Sequence, residues 1–422
     1  MKLNVILIAG LITVISCNDK KPETSKADEY PDGFPYGNVP REKPGTPLSA
    51  AFNRIYDGTY TGLEVASNEL FSRFKYTPLK GFDYNNHDGT VSRRDVTKII
   101  RHNGKYYVWY THRQTAVPPD ETGGNDTIPS RDWDLSEIWY ATSDDGFTWE
   151  EQGVAVPRLE KPYAGWRSVS TPDILVYKGK YYLYYQAYTM MPGGPGTKGD
   201  DCPVAASMAD SPDGPWTPSN KIVLDNGPEG TWDQYVIHDP YSLIYNGKIY
   251  LYYKGEMGGK PKVRAQGLAI ADDPFGPFVK HPLNPVINSG HETALFPFKE
   301  GLAALVSRHG LEHNTIQYAP DGVNFEIAAI SSLFPIAPGA YVPDAFLDNG
   351  NGRGITWGLC HFRNIRKSDG KSHSILARFD CDLSLDIHDP EMKESDIFND
   401  PEINFKFGLS EKQRKRIQES KK

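Results

Sequence analysis

The sequence has few cysteines, no recognisable phosphate or nucleophile loop, and no excess of positive charge. Its four cysteines are widely spaced and form no C-x-x-C pair, which argues against a disulfide framework or a zinc knuckle. A phosphate-binding glycine loop and a G-x-S-x-G nucleophile elbow are also missing. The formal net charge is −8, and this argues against nucleic acid as a partner.

The first residues predict an exported lipoprotein. Lys2 precedes the apolar run VILIAGLITVIS, which is too short to span a bilayer as a mature helix. The run leads into VISC, which resembles the lipobox of bacterial lipoproteins, where the cysteine is acylated after cleavage. We therefore expect a signal peptide over residues 1–17, a lipid anchor on Cys17, a polar and proline-rich tether over 18–47, and a periplasmic or outer-membrane location. The alternative is ordinary secretion with an incidental cysteine.

Aromatic residues and turn signals are plentiful. Aromatics make up 12% of the chain, with 25 tyrosines, and this composition favours β-structure. One phrase recurs five times: an acidic residue, a run of apolar residues, a turn such as NGK or KGK, and a second apolar run, often rich in tyrosine. Asn and Gly supply the positive φ angles of a tight turn, so each phrase predicts a β-hairpin. The acids that open the five copies are Asp95, Asp173, Asp239, Glu292 and Asp344.

The spacing of these phrases predicts the architecture. Successive openings are about 50 to 80 residues apart, which leaves room for four strands per unit, as in a propeller blade. We therefore expect an all-β fold, a five-bladed β-propeller over residues 81–390, with an N-terminal helical arm and a C-terminal extension over 391–422. Since the first strand of each blade lines the axis, the opening acids are predicted to share one pocket. For any single acid, the alternative is a side chain that caps a turn.

The helical arm is predicted within residues 48–80. PLSAAFNRIYDG has the pattern of one helix, with Pro47 near its start, and TGLEVASNELFSRFKYTPLKG that of a second short helix. Two small helices bury little surface by themselves, so they dock either on a partner subunit or on their own propeller. The pattern alone leaves both arrangements open.

Several motifs, in order along the chain, resemble glycoside hydrolase family 117. The helix phrase fits its SxAxxR motif through Ser49, Ala51 and Arg54, and FKYTPLKG, SRRD, GKYYVWYT, IHDP and GHET fit later motifs. The resemblance implies a homodimer that forms through the N-terminal segment. It also implies an exo-acting, inverting hydrolase that releases 3,6-anhydro-L-galactose from the non-reducing end of neoagaro-oligosaccharides by cleaving the α-1,3 bond. The longer segment before SRRD puts the exact substrate preference in question.

The resemblance also implies catalytic roles. Asp95 corresponds to the general base, Asp239 to the carboxylate that stabilises positive charge at the anomeric centre, and His291 to the general acid. Glu292 is a candidate for holding the proton on the histidine. The residues alone favour a different set, three carboxylates that consist of Asp95, Asp239 and either Glu292 or Asp173.

Further candidates are predicted to bind substrate. With Glu292 and Asp173, these are Arg94, Arg167, Trp133, Trp166 and His238. The alternatives are ion pairing for the arginines and core packing for the tryptophans. His238, His309 and His313 do not have the spacing of a zinc site. No cofactor is required by this scheme, although members of the resembled family can carry a divalent ion near the site. There are two functional alternatives. One is hydrolysis of another galactan-derived or furanosidic substrate, and the other is a non-catalytic glycan-binding propeller.

Overall fold

The computed structural model describes residues 40–394 apart from 41, 58–67, 83–87, 193–201, 258–262, 289, 311 and 367–370, and it also describes residue 419. The predicted signal peptide with Cys17, most of the tether and most of the C-terminal extension lie outside these residues. None of the helices that the structure describes is long and apolar enough to cross a membrane.

The described part of the chain is all-β, with 21 strands and one α-helix. The helix and the first eleven strands are α1 (Ala50–Asp57), β1 (Lys75–Pro78), β2 (Val91–Val96), β3 (Ile100–His102), β4 (Lys105–Gln114), β5 (Glu137–Ser143), β6 (Glu150–Val156), β7 (Ser168–Tyr177), β8 (Lys180–Tyr188), β9 (Val204–Ala209), β10 (Thr217–Leu224) and β11 (Ile237–Tyr245). The others are β12 (Lys248–Met257), β13 (Val263–Ala271), β14 (Val279–Lys280), β15 (Ala294–Lys299), β16 (Gly301–Val306), β17 (Thr315–Ala319), β18 (Glu326–Ile330), β19 (Gly339–Ala340), β20 (Gly352–Arg366) and β21 (Lys371–Ser384). A 3-10 turn follows at Pro390–Lys393.

The strands form four antiparallel sheets. The first contains β2–β6, the second β7–β10 and the third β11–β14, while the fourth has eight strands, β15–β21 and β1. Within the fourth sheet, β15 and β20 are joined by only two residue pairs. Strand β2 contacts β7 and β20, and β11 contacts β7 and β15. The opening strands of the sheets therefore meet one another in turn.

Four of the five predicted hairpins are confirmed, and the fifth is wrong, because residues 343–346, which include Asp344, form a turn rather than a strand. Asn103 and Gly104 have φ angles of 48° and 86°, and Asn246 and Gly247 have φ angles of 51° and 71°. Two successive positive φ angles are typical of the type I′ turn, whose twist matches that of the flanking strands. The local turn chemistry thus sets where β3 turns into β4 and β11 into β12.

Two expectations for the N-terminal segment require correction. FKYTPLKG, the end of the predicted second helix, contains the strand β1 instead, which pairs with β21 at the outer edge of the last sheet. The predicted second helix is not formed over the described residues 68–74, which contain one turn, closed by the Phe71 amide on the Asn68 carbonyl (3.0 Å), but no helix. Residues 58–67 lie outside the described part. A long-range strand pairing takes precedence over the local helical pattern.

Helix α1 packs on its own chain. Ser49 accepts a hydrogen bond from the backbone amide of Phe52 (3.4 Å) through its hydroxyl, which also donates to the carbonyl of Pro285 (2.7 Å). Ala51 and Phe52 are buried in the hydrophobic cluster shared by the second and third sheets. Arg54 binds the buried Glu312 through Nε and Nη2, each at 3.0 Å. Within one chain, the helix therefore docks on the β-domain.

Candidate active site

Three of the five predicted acids line the same pocket. Asp95 and Asp239 lie at register shifts in β2 and β11, and Glu292 lies two residues before β15. Their φ angles are 50°, 52° and 60°, a left-handed conformation that is uncommon outside glycine and asparagine. A bulge of this kind turns a side chain out of the alternation of its strand. The three acids line one pocket, whose other lining residues are Arg94, Trp133, Thr171, Gln186, Tyr188, His238, Lys254 and His291.

Asp173 does not belong to this pocket, contrary to the sequence-based expectation. The corresponding bulge in β7 falls on Thr171, with a φ angle of 46°, and its hydroxyl donates to Asp95 Oδ2 (3.3 Å). Asp173, two residues further on, is buried and accepts hydrogen bonds from Lys98 Nζ and from Ser242. In the sequence, the phrases were matched by the position of an acidic residue. In the structure, the opening strands correspond through the position of the bulge, which in β7 holds Thr171 rather than Asp173.

The fifth acid is also elsewhere. Asp344 accepts the backbone amide of Arg353 (2.7 Å) and does not line the pocket. His361 on β20, from the same part of the chain, contacts the site instead. Its Nδ1 accepts a hydrogen bond from the backbone N–H of Asp95 (3.3 Å). Burial, and then the positive charge of Arg94, lower the pKa of His361. His361 is therefore a neutral support for the Asp95 backbone.

Arg94 links the acids of the pocket. Its Nε donates to Asp95 Oδ2 (2.6 Å), its Nη2 to Glu292 Oε1 (3.2 Å) and its Nη1 to Asp132 Oδ2 (3.4 Å). Burial alone would lower the pKa of Arg94, but the three carboxylates outweigh it and raise the pKa above its ordinary value. The guanidinium also lies 4.9 Å from the centre of the Trp133 ring. Arg94 is thus a fixed positive charge that holds Asp95 and Glu292 in place.

A second cation, Lys254, neutralises Asp239. Its Nζ lies 2.9 Å from Asp239 Oδ2, and the same oxygen accepts the backbone amide of Glu292 (3.1 Å). Burial alone would raise the pKa of Asp239, but Lys254 and then His291 outweigh it, so the pKa lies below its usual value. Asp239 is therefore a carboxylate at neutral pH.

His291 lies between two carboxylates. Its Nδ1 is 3.1 Å from Glu292 Oε1 and 3.6 Å from Asp239 Oδ2. Burial, followed by the charge of Lys254, nevertheless holds the pKa of His291 well below its ordinary value. The pKa of Glu292 is also lowered, because the neighbouring His361 and the positive charges around the carboxylate, Arg94 first, outweigh burial. Glu292 is therefore an ionised support rather than a proton donor, and His291 carries a proton only in acidic solution.

The pocket contains two buried carboxylate oxygens that no described residue hydrogen-bonds. Asp95 Oδ1 and Glu292 Oε2 have no hydrogen bond to any residue that the structure describes. Together with His361, these two acids place one ligand atom each within 4.8 Å of one another. Arg94 already supplies positive charge to both carboxylates, however, so the cluster fits a divalent ion poorly. It is better suited to hydroxyl donors of a substrate or to water.

The other predicted substrate-binding residues have separate positions. Trp133 and His238 line the pocket, where the Trp133 indole N–H donates to the Tyr188 hydroxyl (3.1 Å) and His238 Nε2 lies 3.3 Å from the same oxygen. Arg167 does not line it; its guanidinium is buried and makes two hydrogen bonds to Asp134 (2.7 and 2.6 Å). Trp166 lies outside the pocket as well, beneath the ammonium of Lys161 at 4.0 Å.

Sequence reasoning missed Lys254, Gln186, Tyr188, Thr171 and His361. Lys254 pairs with His238 across β11 and β12, and Gln186 pairs with Ser170 across β7 and β8. Both therefore lie opposite the start of an opening strand. A polar residue at the end of a tyrosine run, as in YYK and YYQ, is the signal that could have found them.

No family model matches the sequence, and no curated protein is similar to it. Among solved structures, Zg3597, a family 117 glycoside hydrolase produced by the marine bacterium Zobellia galactanivorans, is 58% identical. The match covers 82% of this chain and 100% of that one, with a TM-score of 0.74. A second structure, described as a glycoside hydrolase, is 13% identical, covers 74% of this chain and 92% of its own, and has a TM-score of 0.50. The second likeness bears on the fold alone.

Proposed function

This chain belongs to glycoside hydrolase family 117, and on that premise we propose that it is an exo-acting, inverting hydrolase of neoagaro-oligosaccharides. It releases 3,6-anhydro-L-galactose from the non-reducing end by cleaving the α-1,3 bond. The observation that carries the proposal is the convergence of Asp95, Asp239 and His291 in one pocket. We further propose that the β-domain is a five-bladed propeller, with the eight-stranded sheet counting as two blades that meet at the short β15–β20 junction.

Asp95 is proposed to be the general base. Arg94 and Thr171 both bind Oδ2, while Oδ1 has no hydrogen bond within the described part of the chain. Oδ1 is therefore the atom suited to take a proton from the attacking water. Inversion requires the water to lie between the base and the anomeric carbon, on the face opposite the leaving group. The fixed Arg94 guanidinium keeps the Asp95 carboxylate oriented for this step.

Asp239 is proposed to stabilise the positive charge that develops at the anomeric carbon. A carboxylate does this only when ionised, and Lys254 at 2.9 Å keeps it so. Since Asp239 Oδ2 also accepts the Glu292 amide, its position is fixed before substrate arrives. Preorganised charge of this kind needs no rearrangement during the reaction.

His291 is proposed to be the general acid that protonates the leaving oxygen. Glu292 Oε1 lies 3.1 Å and Asp239 Oδ2 3.6 Å from His291 Nδ1. Both carboxylates are ionised, so they stabilise an imidazolium at this position. Because the pKa of His291 lies well below its usual value, kcat/KM is expected to fall as pH rises through that pKa. An acidic optimum follows from this assignment. A three-carboxylate set that uses Asp173 is not supported, because Asp173 lies outside the pocket.

The test is product analysis with the protein that lacks residues 1–17. Neoagarobiose and neoagarotetraose are incubated with it and followed by proton NMR; the expected product from both is monomeric anhydrogalactose, with the inverted anomer formed first. Asp95→Asn is expected to lower the rate by about 10²- to 10⁴-fold and to retain binding, whereas the surface variant Asp210→Asn matches the wild type. Hydrolysis of neither sugar by the folded protein would redirect the proposal to another galactan-derived or furanosidic substrate.

Two assembly properties are proposed alongside the reaction. Lipid attachment at Cys17 would anchor the protein to a bacterial membrane, and labelling with a radioactive fatty acid should be lost in Cys17→Ser.

The second property is a homodimer that uses the segment around Ser49, Ala51 and Arg54. It is compatible with the docked α1, because the surface that binds α1 can take this helix from either chain. Light scattering should give twice the mass of one chain if this is right and the mass of one chain if it is wrong.

A further inference from the structure

A group of cationic and donor side chains lies beside His291. The ring centres of His291 and His309 are 5.1 Å apart, and Arg264 Nη1 is 2.9 Å from His309 Nδ1. Arg308 immediately precedes His309. These three residues, Arg264, Arg308 and His309, are called the basic edge below. They come from β13 and from the segment after β16, and the mechanism above uses none of them.

The basic edge offers donors rather than acceptors. An arginine can only donate, so His309 Nδ1 must accept the hydrogen bond from Arg264, and the ring proton lies on Nε2. Burial, followed by the charges of Arg264 and Arg308, lowers the pKa of His309 to about 4. His309 is therefore neutral near pH 6, with its one ring acceptor occupied. Arg264, Arg308 and His309 therefore offer a ligand only hydrogen-bond donors. This suits a ligand whose oxygens only accept hydrogen bonds.

Arg308 is the unusual member of the basic edge. It is partly buried, yet it makes no hydrogen bond and no ion pair within 4.0 Å with any residue in the described ranges, whereas Arg264 binds Glu256 (3.0 Å). None of its guanidinium nitrogens is both buried and unpaired, so the group is reached by solvent and is open to a ligand. Arg94 and Lys254 already neutralise the pocket acids at shorter distances, so Arg308 is not needed for that purpose. It precedes His309, whose ring centre lies 5.1 Å from that of His291, and its charge lowers the pKa of both Glu292 and His309.

We propose that Arg308 and Arg264 bind an oxyanion, a sulfate ester or a carboxylate, carried by the sugar that leaves. This rests on the proposed function, because the general acid marks the side on which the leaving sugar lies. His309 is the next ring beyond His291, and Arg264 lies beyond His309. The substrate class is therefore an anionic galactan fragment, with a neutral sugar at the cleaved end and the anionic group on the sugar next to it.

The experiment compares three disaccharides that differ only on the leaving sugar: neutral, 6-O-sulfated and 6-carboxylated. The wild type is expected to show kcat/KM at least about tenfold higher for one or both anionic forms, and the preference should shrink as salt increases. Arg308→Gln should lower the ratio of anionic to neutral kcat/KM towards one, and Arg308→Lys should restore part of it. Arg101→Gln, an exposed arginine on the first sheet, should leave the ratio unchanged.

The possible failures are distinguishable. Equal or lower kcat/KM for both anionic sugars, with the neutral one hydrolysed, overturns the inference and leaves the proposed function intact. If none of the three sugars is hydrolysed, the proposed function fails, and their binding is measured by calorimetric titration. Tighter binding of an anionic form by the wild type, lost in Arg308→Gln, then supports the oxyanion site. Equal binding of all three overturns both. Unchanged thermal unfolding of Arg308→Gln shows that the variant is folded.

Discussion

The buried ion pair of Lys98 and Asp173 gives the sharpest prediction for stability. The side chain of Lys98 is 0% exposed and that of Asp173 1% exposed. Lys98 Nζ lies 4.0 Å from the centre of the Tyr241 ring, and Asp173 Oδ2 also accepts the amide (2.6 Å) and hydroxyl (2.8 Å) of Ser242. The pair thus joins the strands that carry Asp95, Thr171 and Asp239, a few residues beyond the pocket. Removing one partner leaves the other charge without compensation in a dry interior.

The expected magnitude follows from that burial. Loss of one member of a buried pair costs about 3–5 kcal/mol, and the free energy of unfolding of a domain is about 5–15 kcal/mol. Lys98→Met or Asp173→Asn should therefore remove about a fifth of the stability or more. Since the double variant buries no charge, its loss should be smaller than the sum of the single losses, by about 2 kcal/mol or more.

Urea unfolding at pH 7, followed by tryptophan fluorescence, measures all four proteins of this cycle. The surface pair Lys180 and Asp210, with side chains 45% and 83% exposed, is the matched control, and its removal should leave the unfolding midpoint unchanged. Single variants within about 0.5 kcal/mol of the wild type, a difference typical of surface substitutions, would refute the reasoning. Strict additivity in the double variant would equally refute it.

Three further predictions concern charge. Burial lowers the pKa of Lys98 from 10.5 to about 8; between these values the unfolded chain binds more protons, so wild-type stability should rise with pH relative to Lys98→Met, by up to about 3 kcal/mol at pH 10.5. A flat difference in urea midpoints from pH 7 to 10.5 would contradict this. Lys254→Met should raise the pKa of His291 and move the fall in kcat/KM to higher pH, at the cost of a lower maximum; an unmoved pH profile would count against His291 as the acid. Arg54→Met should lower the free energy of unfolding by about 3 kcal/mol, because Glu312 is buried with its carboxylate on Arg54, and thermal unfolding equal to that of Arg54→Lys would show otherwise.

The hairpins were predictable because their signals are local. Asn-Gly and Lys-Gly pairs specify a turn without help from distant residues, and the two apolar runs beside each turn pair in the only register that the turn allows. The positions of Asp95 and Asp239 followed from the same phrases. Most of the β-structure was therefore accessible from the sequence.

The pocket was only partly predictable, because bulges and cross-strand neighbours decide it. Asp173 is acidic, as the phrase requires, but it lies two residues after the bulge. The bulge residue is Thr171, and its positive φ angle is set by strand pairing. Lys254 lies across the β11–β12 hairpin from the strand of Asp239, and His361 lies 266 residues from Asp95 in the chain. Periodicity within a strand does not reveal which residue of the next strand lies opposite.

The pairing of β1 with β21 has a consequence for biogenesis. Ser72, just before β1, binds the backbone of Asp382, 310 residues later, and the Lys393 ammonium is held by the carbonyls of Phe71 (2.7 Å) and Asp382 (2.8 Å). The last sheet can therefore close only after nearly the whole described chain has left the ribosome. Contacts this distant in sequence form slowly, so the nascent protein spends its synthesis with an open edge on its last sheet.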